Sequence, residues 1–210
     1  TDLADLNPGD VPTTAETIPT PLGSTTTAGA INDNYYPLMY PDLTTNTCTN
    51  AGYAIAGGCE DRWYKINVPA NELLDIRLAN ASTTFTVQTF TGTPCNLTEL
   101  KCGLDSVTAN ISDITFTTAT DVYIRIFDKN CDEYGTYDLI TTLKPRNNND
   151  LICNAEVLNV GGAVETDTLI NSTPSSGVPN ASCGGVGTYC RDIWFQTTAA
   201  ASGTMTISYN

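Results

Sequence analysis

The sequence contains no histidine, no Cys-x-x-Cys pair and no long apolar run, and it is poor in basic residues. Without histidine there is no Ser-His or Cys-His nucleophile pair and no His metal site. A structural zinc site built on paired cysteines is equally unsupported. No apolar stretch approaches the roughly 18 residues needed to span a bilayer as a helix. Only 9 Lys and Arg stand against 23 Asp and Glu, a net charge of −14. Such a surface repels phosphate backbones and anionic head groups, which argues against nucleic-acid binding and membrane insertion. The opening Thr1-Asp-Leu-Ala-Asp5 lacks a basic region and an apolar stretch. If the protein is exported, its leader is expected to have been removed.

What is present suits a folded extracellular protein. Apolar residues make up 40% of the 210 positions, the ordinary level for a chain with a real core. Charged residues are sparse at 15%, and Thr, Ser and Asn dominate the remainder. Eight cysteines stand at Cys48, Cys59, Cys95, Cys102, Cys131, Cys153, Cys183 and Cys190. Cys48/Cys59, Cys95/Cys102 and Cys183/Cys190 have the spacing of small loops and read as local disulfides, which places the chain in an oxidising compartment. Elimination leaves Cys131 to Cys153, a pairing that sequence does not fix.

The chain is self-similar. Cys59-Glu-Asp-Arg-Trp-Tyr64 recurs as Cys190-Arg-Asp-Ile-Trp-Phe195, and Pro69–Ile76 lies over Ala200–Ile207 without a gap. Upstream, Ala15-Glu-Thr-Ile18 answers Ala155-Glu-Val-Leu158. The first block repeats at an offset of 131 and the second at 140, so repeat 1 carries nine extra residues, most naturally within the Tyr-rich stretch 32–50. Alternation of Leu74, Ile76 and Leu78 with Asp75, Arg77 and Ala79, and of Val122, Ile124 and Ile126 with Tyr123, Arg125 and Phe127, predicts antiparallel strands. Strands are also expected at 84–90, 113–118 and 136–143. No segment carries a helical stripe. The expected fold is an all-β, jelly-roll-like sandwich, with an N-terminal arm at 1–9, a complete repeat at 10–146 and the first half of a second at 147–210. The boundary is the polar Lys144-Pro-Arg-Asn-Asn-Asn-Asp150. In this register Asn210 answers Ala79, so the natural chain is expected to continue, or a strand from another subunit to complete the fold.

Asn149-Asp150, Cys153-Asn-Ala155, Gly177-Val-Pro179, Cys183-Gly184, Asp192–Phe195 and Ala201–Ile207 together resemble pre-peptidase C-terminal-like repeats of secreted bacterial proteins, especially those of Bacteroidota cell surfaces. Repeat 1 adds Phe90-Thr-Gly-Thr-Pro-Cys95, Val122-Tyr-Ile-Arg-Ile126 and Gly135-Thr-Tyr-Asp-Leu139. It departs from the pattern in having Thr13 where the repeat-start cysteine belongs, and in its enlarged Tyr-rich loop. The resemblance implies a β-sandwich appended to secreted enzymes or strung along surface adhesins, without catalysis.

Each candidate site carries two readings. Asp61 and Asp192 precede Trp63 and Trp194. On a strand Asp61, Trp63 and Lys65 share one face, while Tyr64, Ile66 and Val68 take the inner one. The tryptophans either pack under a loop, with the Asp capping a turn, or stand exposed as platforms for a sugar ring. Tyr35, Tyr36 and Tyr40, in the insertion, form either a recognition surface or a cover over an open sandwich end. Asp128, Asn130 and Asp132 alternate as calcium loops begin, but Glu133 stands where such a loop needs Gly. Asn149 and Asp150 offer a second oxygen cluster, which the resemblance makes a calcium candidate; turn formation is the other reading of both. Sequons occur at Asn80, Asn96, Asn110, Asn171 and Asn180. Asp105-Ser106-Val107 and Asp167-Thr168-Leu169 look like the O-glycosylation acceptor of Bacteroidota. The carboxylate pairs Glu60/Asp61 and Asp132/Glu133 suggest solvated turns rather than acid–base chemistry, so no catalytic residue and no cofactor other than possible calcium are expected. The functional expectation is a non-catalytic structural or adhesive repeat of a larger bacterial surface or filament protein, with neighbouring repeats or subunits as partners. The alternative is a glycan-binding accessory domain of a secreted hydrolase.

Overall fold

The computed structural model describes residues 8–32, 60–94, 96–128, 134–175, 191–199, 201 and 203–208. The chain divides into two compact units, Thr1–Pro145 and Arg146–Asn210.

The first unit is an all-β sandwich. Its strands are β1 (Glu16–Thr17), β2 (Gly23–Ile31), β3 (Asp61–Val68), β4 (Glu72–Ala79), β5 (Phe85–Thr93), β6 (Asn96–Ser106), β7 (Asn110–Thr115), β8 (Thr120–Phe127) and β9 (Gly135–Pro145). One sheet has the order β1-β3-β8-β5-β6 and the other β2-β9-β4-β7. Apart from the short parallel bridge of β1 with β3, all pairings are antiparallel. Left-handed turns connect them: Asn71 at φ 60° joins β3 to β4, and Gly92 at φ 115° serves the β5–β6 hairpin. A Cβ on Gly92 would come within 2.3 Å of the Asn96 carbonyl, so only glycine fits.

The expected alternation in β4 holds, with Leu74, Ile76 and Leu78 buried in the main core. Tyr64, Ile66 and Val68 of β3 likewise face it, opposite Ile124, Val122 and Thr120 of β8. Two strands carry no clean apolar alternation. In β2, small and hydroxyl residues pair along nine positions with β9, so the neighbour's ladder holds it. In β6, Glu99 and Lys101 interrupt the apolar pattern, and β5 supplies its partner groups.

β8 departs from simple alternation. It lies between β3 and β5, and Tyr123, Arg125 and Phe127 are buried along with the inner-facing residues. A second cluster of Trp63, Phe90 and Tyr123, flanked by Ala15 and Leu97, covers the outer face.

The second unit has two short strands, β10 (Glu156–Val157) and β11 (Phe195–Gln196), paired in parallel. The repeat is visible here bond for bond. A 3-10 turn spans Pro12–Thr14 in the first unit and Ile152–Asn154 in the second. Trp63 N–H donates to Gly9 at 2.7 Å, and Trp194 N–H donates to Asn149 at 2.8 Å. Ile18 N–H meets the Lys65 carbonyl as Leu158 N–H meets that of Gln196, both at 2.8 Å. Among the described residues no helix is long and apolar enough to cross a membrane.

Gly29 lies against the core tyrosines: a Cβ there would sit 2.4 Å from the Tyr137 ring and 2.5 Å from the Tyr64 hydroxyl. Those hydroxyls lie 3.0 Å apart in the interior. Gly29→Ala is therefore expected to lower stability by roughly 1–3 kcal/mol through overpacking. Ile76→Ala should cost roughly 2–5 kcal/mol through a cavity. Urea unfolding midpoints compared with wild type measure both.

Candidate functional site

Three neighbouring strands bring a polar group under Trp63. Directly opposed residues share a sheet face. Trp63 of β3 opposes Arg125 of β8, which opposes Gln88 of β5, and all three are buried. Asp61 lies diagonally across from Arg125, and its Oδ2 accepts from Arg125 Nε at 2.6 Å. Arg125 Nη1 donates to Gln88 Oε1 at 3.3 Å. The guanidinium also lies 4.5 Å from the Phe127 ring centroid and 5.8 Å from that of Trp63. Trp63 and Phe90 pack with centroids 5.5 Å apart. Asp10 and Asp128 are buried as well.

Burial pushes the Asp61 carboxyl up to about 6, against the opposing pull of Arg125 and the Trp63 indole; Asp10 raises it further. Among the described residues, Asp61 Oδ1 and Trp63 Nε1 have no hydrogen-bond partner of ordinary geometry.

Trp63 is 0% exposed, which overturns its reading as a sugar platform: the outer face of β3 is roofed by Phe90, Tyr123 and Ala15. The other reading, packing under a loop with Asp61 capping a turn, is corrected too: the ring is buried, but its cover is side chains of β5, β8 and β6, and Asp61 caps no turn. It forms an ion pair, because β8 presents an arginine at the diagonal position. Trp194 is half-buried, its Nε1 donating to Ser175 Oγ at 2.9 Å, while that hydroxyl donates to Asp192 at 2.9 Å. Tyr35, Tyr36 and Tyr40 lie outside the described residues. Glu60 and Asp61 face different surroundings: Asp61 is buried against Arg125, whereas Glu60 accepts from the Tyr134 hydroxyl at 3.4 Å.

Among the calcium candidates, Asn130 and Asp132 lie outside the described residues. Asn149 donates through Nδ2 to Asp167 at 2.7 Å. Asp150 accepts from Arg146 and from both the backbone N–H and the hydroxyl of Thr173, so it ties 146–150 to the chain near 173. The described residues hold no group of three or more acidic or cysteine side chains fit for a metal.

Cys102 is disulfide-bonded. Cys48, Cys59, Cys95, Cys131, Cys183 and Cys190 lie outside the described residues. Cys153 is a free, exposed thiol in the turn Ile152–Asn154, which corrects its assignment to Cys131. Spacing fixes no partner for a cysteine, and Cys153 stands exposed to solvent on its turn.

The glycosylation candidates differ in setting. Thr168 is exposed, its hydroxyl accepting from Ile170 N–H at 3.1 Å; Ser106 is half-buried, its hydroxyl accepting from Thr108 N–H at 3.1 Å. Asn96 and Asn110 are exposed at strand starts. Asn80 and Asn171 adopt left-handed backbone conformations, and Asn80 Nδ2 donates to Asp138 at 2.7 Å. Asn180 lies outside the described residues.

Sequence reasoning missed Arg125, Gln88 and Asp10. The available signal was Arg125 itself, a lone charge within the β-branched run Val122–Ile126.

Because its folded-state pKa is raised, the contribution of Asp61 to stability is fully present below about pH 4 and is lost as pH rises through about 6. The loss should approach roughly 3 kcal/mol by pH 7.5. Denaturant unfolding of wild type and Asp61→Asn between pH 4 and 7.5 tests this: wild type should lose stability relative to the variant as pH rises. Arg125→Met should cost roughly 3–5 kcal/mol at neutral pH, since it strands a buried carboxylate. Peptide mapping after native alkylation should find Cys153 modified without reductant, and Cys102 only after reduction.

No protein-family model and no curated protein matches the sequence. Among solved structures, the pre-peptidase C-terminal domain of collagenase from Bacillus anthracis aligns at 16% identity over 62% of this chain and 94% of that one, with a TM-score of 0.38. Aeromonas hydrophila PliG, a periplasmic inhibitor of g-type lysozyme, aligns at 7% identity over 62% and 96%, with a TM-score of 0.40. TmCBM61 in complex with beta-1,4-galactotriose aligns at 11% identity over 67% and 96%, with a TM-score of 0.27.

Proposed function

We propose that the chain is a non-catalytic, extracellular structural or adhesive module in which β-sandwich repeats are strung in tandem. The observation that carries this reading is the repeated opening clasp. Two units set the same 3-10 turn, the same parallel bridge and the same tryptophan N–H bond at matching positions. A repeated unit of this kind serves reach and spacing rather than a single reactive centre.

The described chemistry supports the same reading. The most polar buried group, Asp61 with Arg125, is closed off as an ion pair at 0% and 3% side-chain exposure, with no room for a substrate between the two. The bond at Cys102 fits an oxidising compartment outside the cytosol. An acidic, hydroxyl-rich surface keeps long arrays soluble and apart.

Glycan recognition is the competing function, and the burial of Trp63 narrows it to Trp194 and the tyrosines at 35, 36 and 40. A glycan array probed with the intact chain distinguishes the two. The module reading expects no sugar above background. Binding abolished by Trp194→Ala would establish the accessory carbohydrate-binding role instead.

A further inference from the structure

In sequence, Lys144–Asp150 reads as a polar boundary between two repeats. In the structure it is no loose spacer. Pro145 is the last residue of β9, opposite Glu72, and Arg146 already bonds within the second unit. Arg146 Nε donates to Asp150 Oδ2 and Nη2 to the Thr173 hydroxyl at 3.2 Å; the Arg146 and Asp150 side chains are 8% and 0% exposed. Thr173 closes the ring. Its N–H and its hydroxyl both donate to Asp150, the hydroxyl at 2.7 Å.

The backbone is tied as well. Asn147 N–H donates to the Asn171 carbonyl at 3.3 Å, and the Asn147 carbonyl accepts Asp150 N–H at 3.3 Å. Asn147 Nδ2 donates to the Thr168 carbonyl at 2.7 Å, and Asn149 Nδ2 to Asp167 at 2.7 Å. The segment 167–173 thus grips 146–150 along its length.

These bonds gather around one peptide bond of particular chemistry. The chain has 9 Lys and Arg, and none lies between 147 and 190. Lys144 precedes Pro145, whose ring makes the bond after Lys144 a poor substrate for trypsin-type proteases. Arg146–Asn147 is therefore the bond in 144–190 at which such a protease can part the two units. The hydrolysis adds water across that amide and yields an Arg146 carboxylate and an Asn147 amine. It needs an accessible, unbonded backbone and an arginine side chain free to enter an acidic pocket. Here Asp150 already holds the guanidinium, and Asn171 holds the N–H of the amide to be cut.

We propose that Arg146, Asp150 and Thr173 form a latch that shields the joint bond Arg146–Asn147 from trypsin-type proteolysis. The bond becomes open to attack only when 167–173 lifts off 146–150, a local opening of the second unit. The connection between the units therefore persists among extracellular proteases while the latch is closed. This holds whether the modules space repeats or bind glycans.

Native trypsin digestion of the intact 210-residue chain, with each cut quantified by mass spectrometry, tests the latch. Cleavage after Arg146 should run roughly a hundredfold or more slower than in a free peptide of sequence Leu143–Leu151. Thr173→Val removes the hydroxyl at the centre of the latch but keeps the backbone bond, and should speed that cut roughly fivefold. Thr173→Ser, which restores the hydroxyl, should return the cut to the wild-type rate. Cleavage after Arg191, in the same unit, should not change in either variant. Wild-type cleavage after Arg146 at a rate close to that of the free peptide would overturn the proposal. So would equal rates in wild type and Thr173→Val. A parallel rise after Arg146 and Arg191 would mark general loosening of the unit and overturn it too.

Discussion

Burial of β8 on both faces is the constraint around which the first unit is arranged. A central strand cannot leave one face to water when its neighbours on either side carry aromatic residues toward that face. Val122, Ile124 and Ile126 enter the main core, while Tyr123, Arg125 and Phe127 lie beneath the cluster of Trp63 and Phe90. Arg125 is the costly member of this arrangement, since a guanidinium taken from water requires a partner. Asp61 is that partner, and its raised pKa records how much burial disfavours its charge even beside an arginine.

The N-terminal turn belongs to the same arrangement. Gly9 accepts the Trp63 N–H, and at φ 88° it takes a conformation that side chains resist. Its position leaves 3.3 Å between a notional Cβ and Arg62 Cγ, so the turn lies close against β3. In the second unit Asn149 makes the same backbone bond, and Asp150 with Arg146 and Thr173 fastens the turn from its own side. The two units thus share a backbone solution and differ in the side chains that secure it.

Much of this was legible beforehand. Alternation placed Leu74, Ile76 and Leu78 inward, and they are buried; the offsets of 131 and 140 paired residues that make equivalent hydrogen bonds. Strands without apolar alternation, β2 above all, were not legible, because a neighbour's ladder rather than their own side chains holds them. Trp63 was assigned to the correct face, but two readings of that face survived until its cover was known.

Local chemistry by itself determined the strand period and the duplication, because the first depends on residues two positions apart and the second on direct self-comparison. The tertiary structure alone decided that Trp63 is sealed, that Asp61 meets Arg125, that Gln88 joins them and that Cys153 stays free. The pair Asp61–Arg125 is 64 residues apart and Gln88–Arg125 is 37. Period two tells which side chains share a face; only the order of strands in the sheet tells what lies over it.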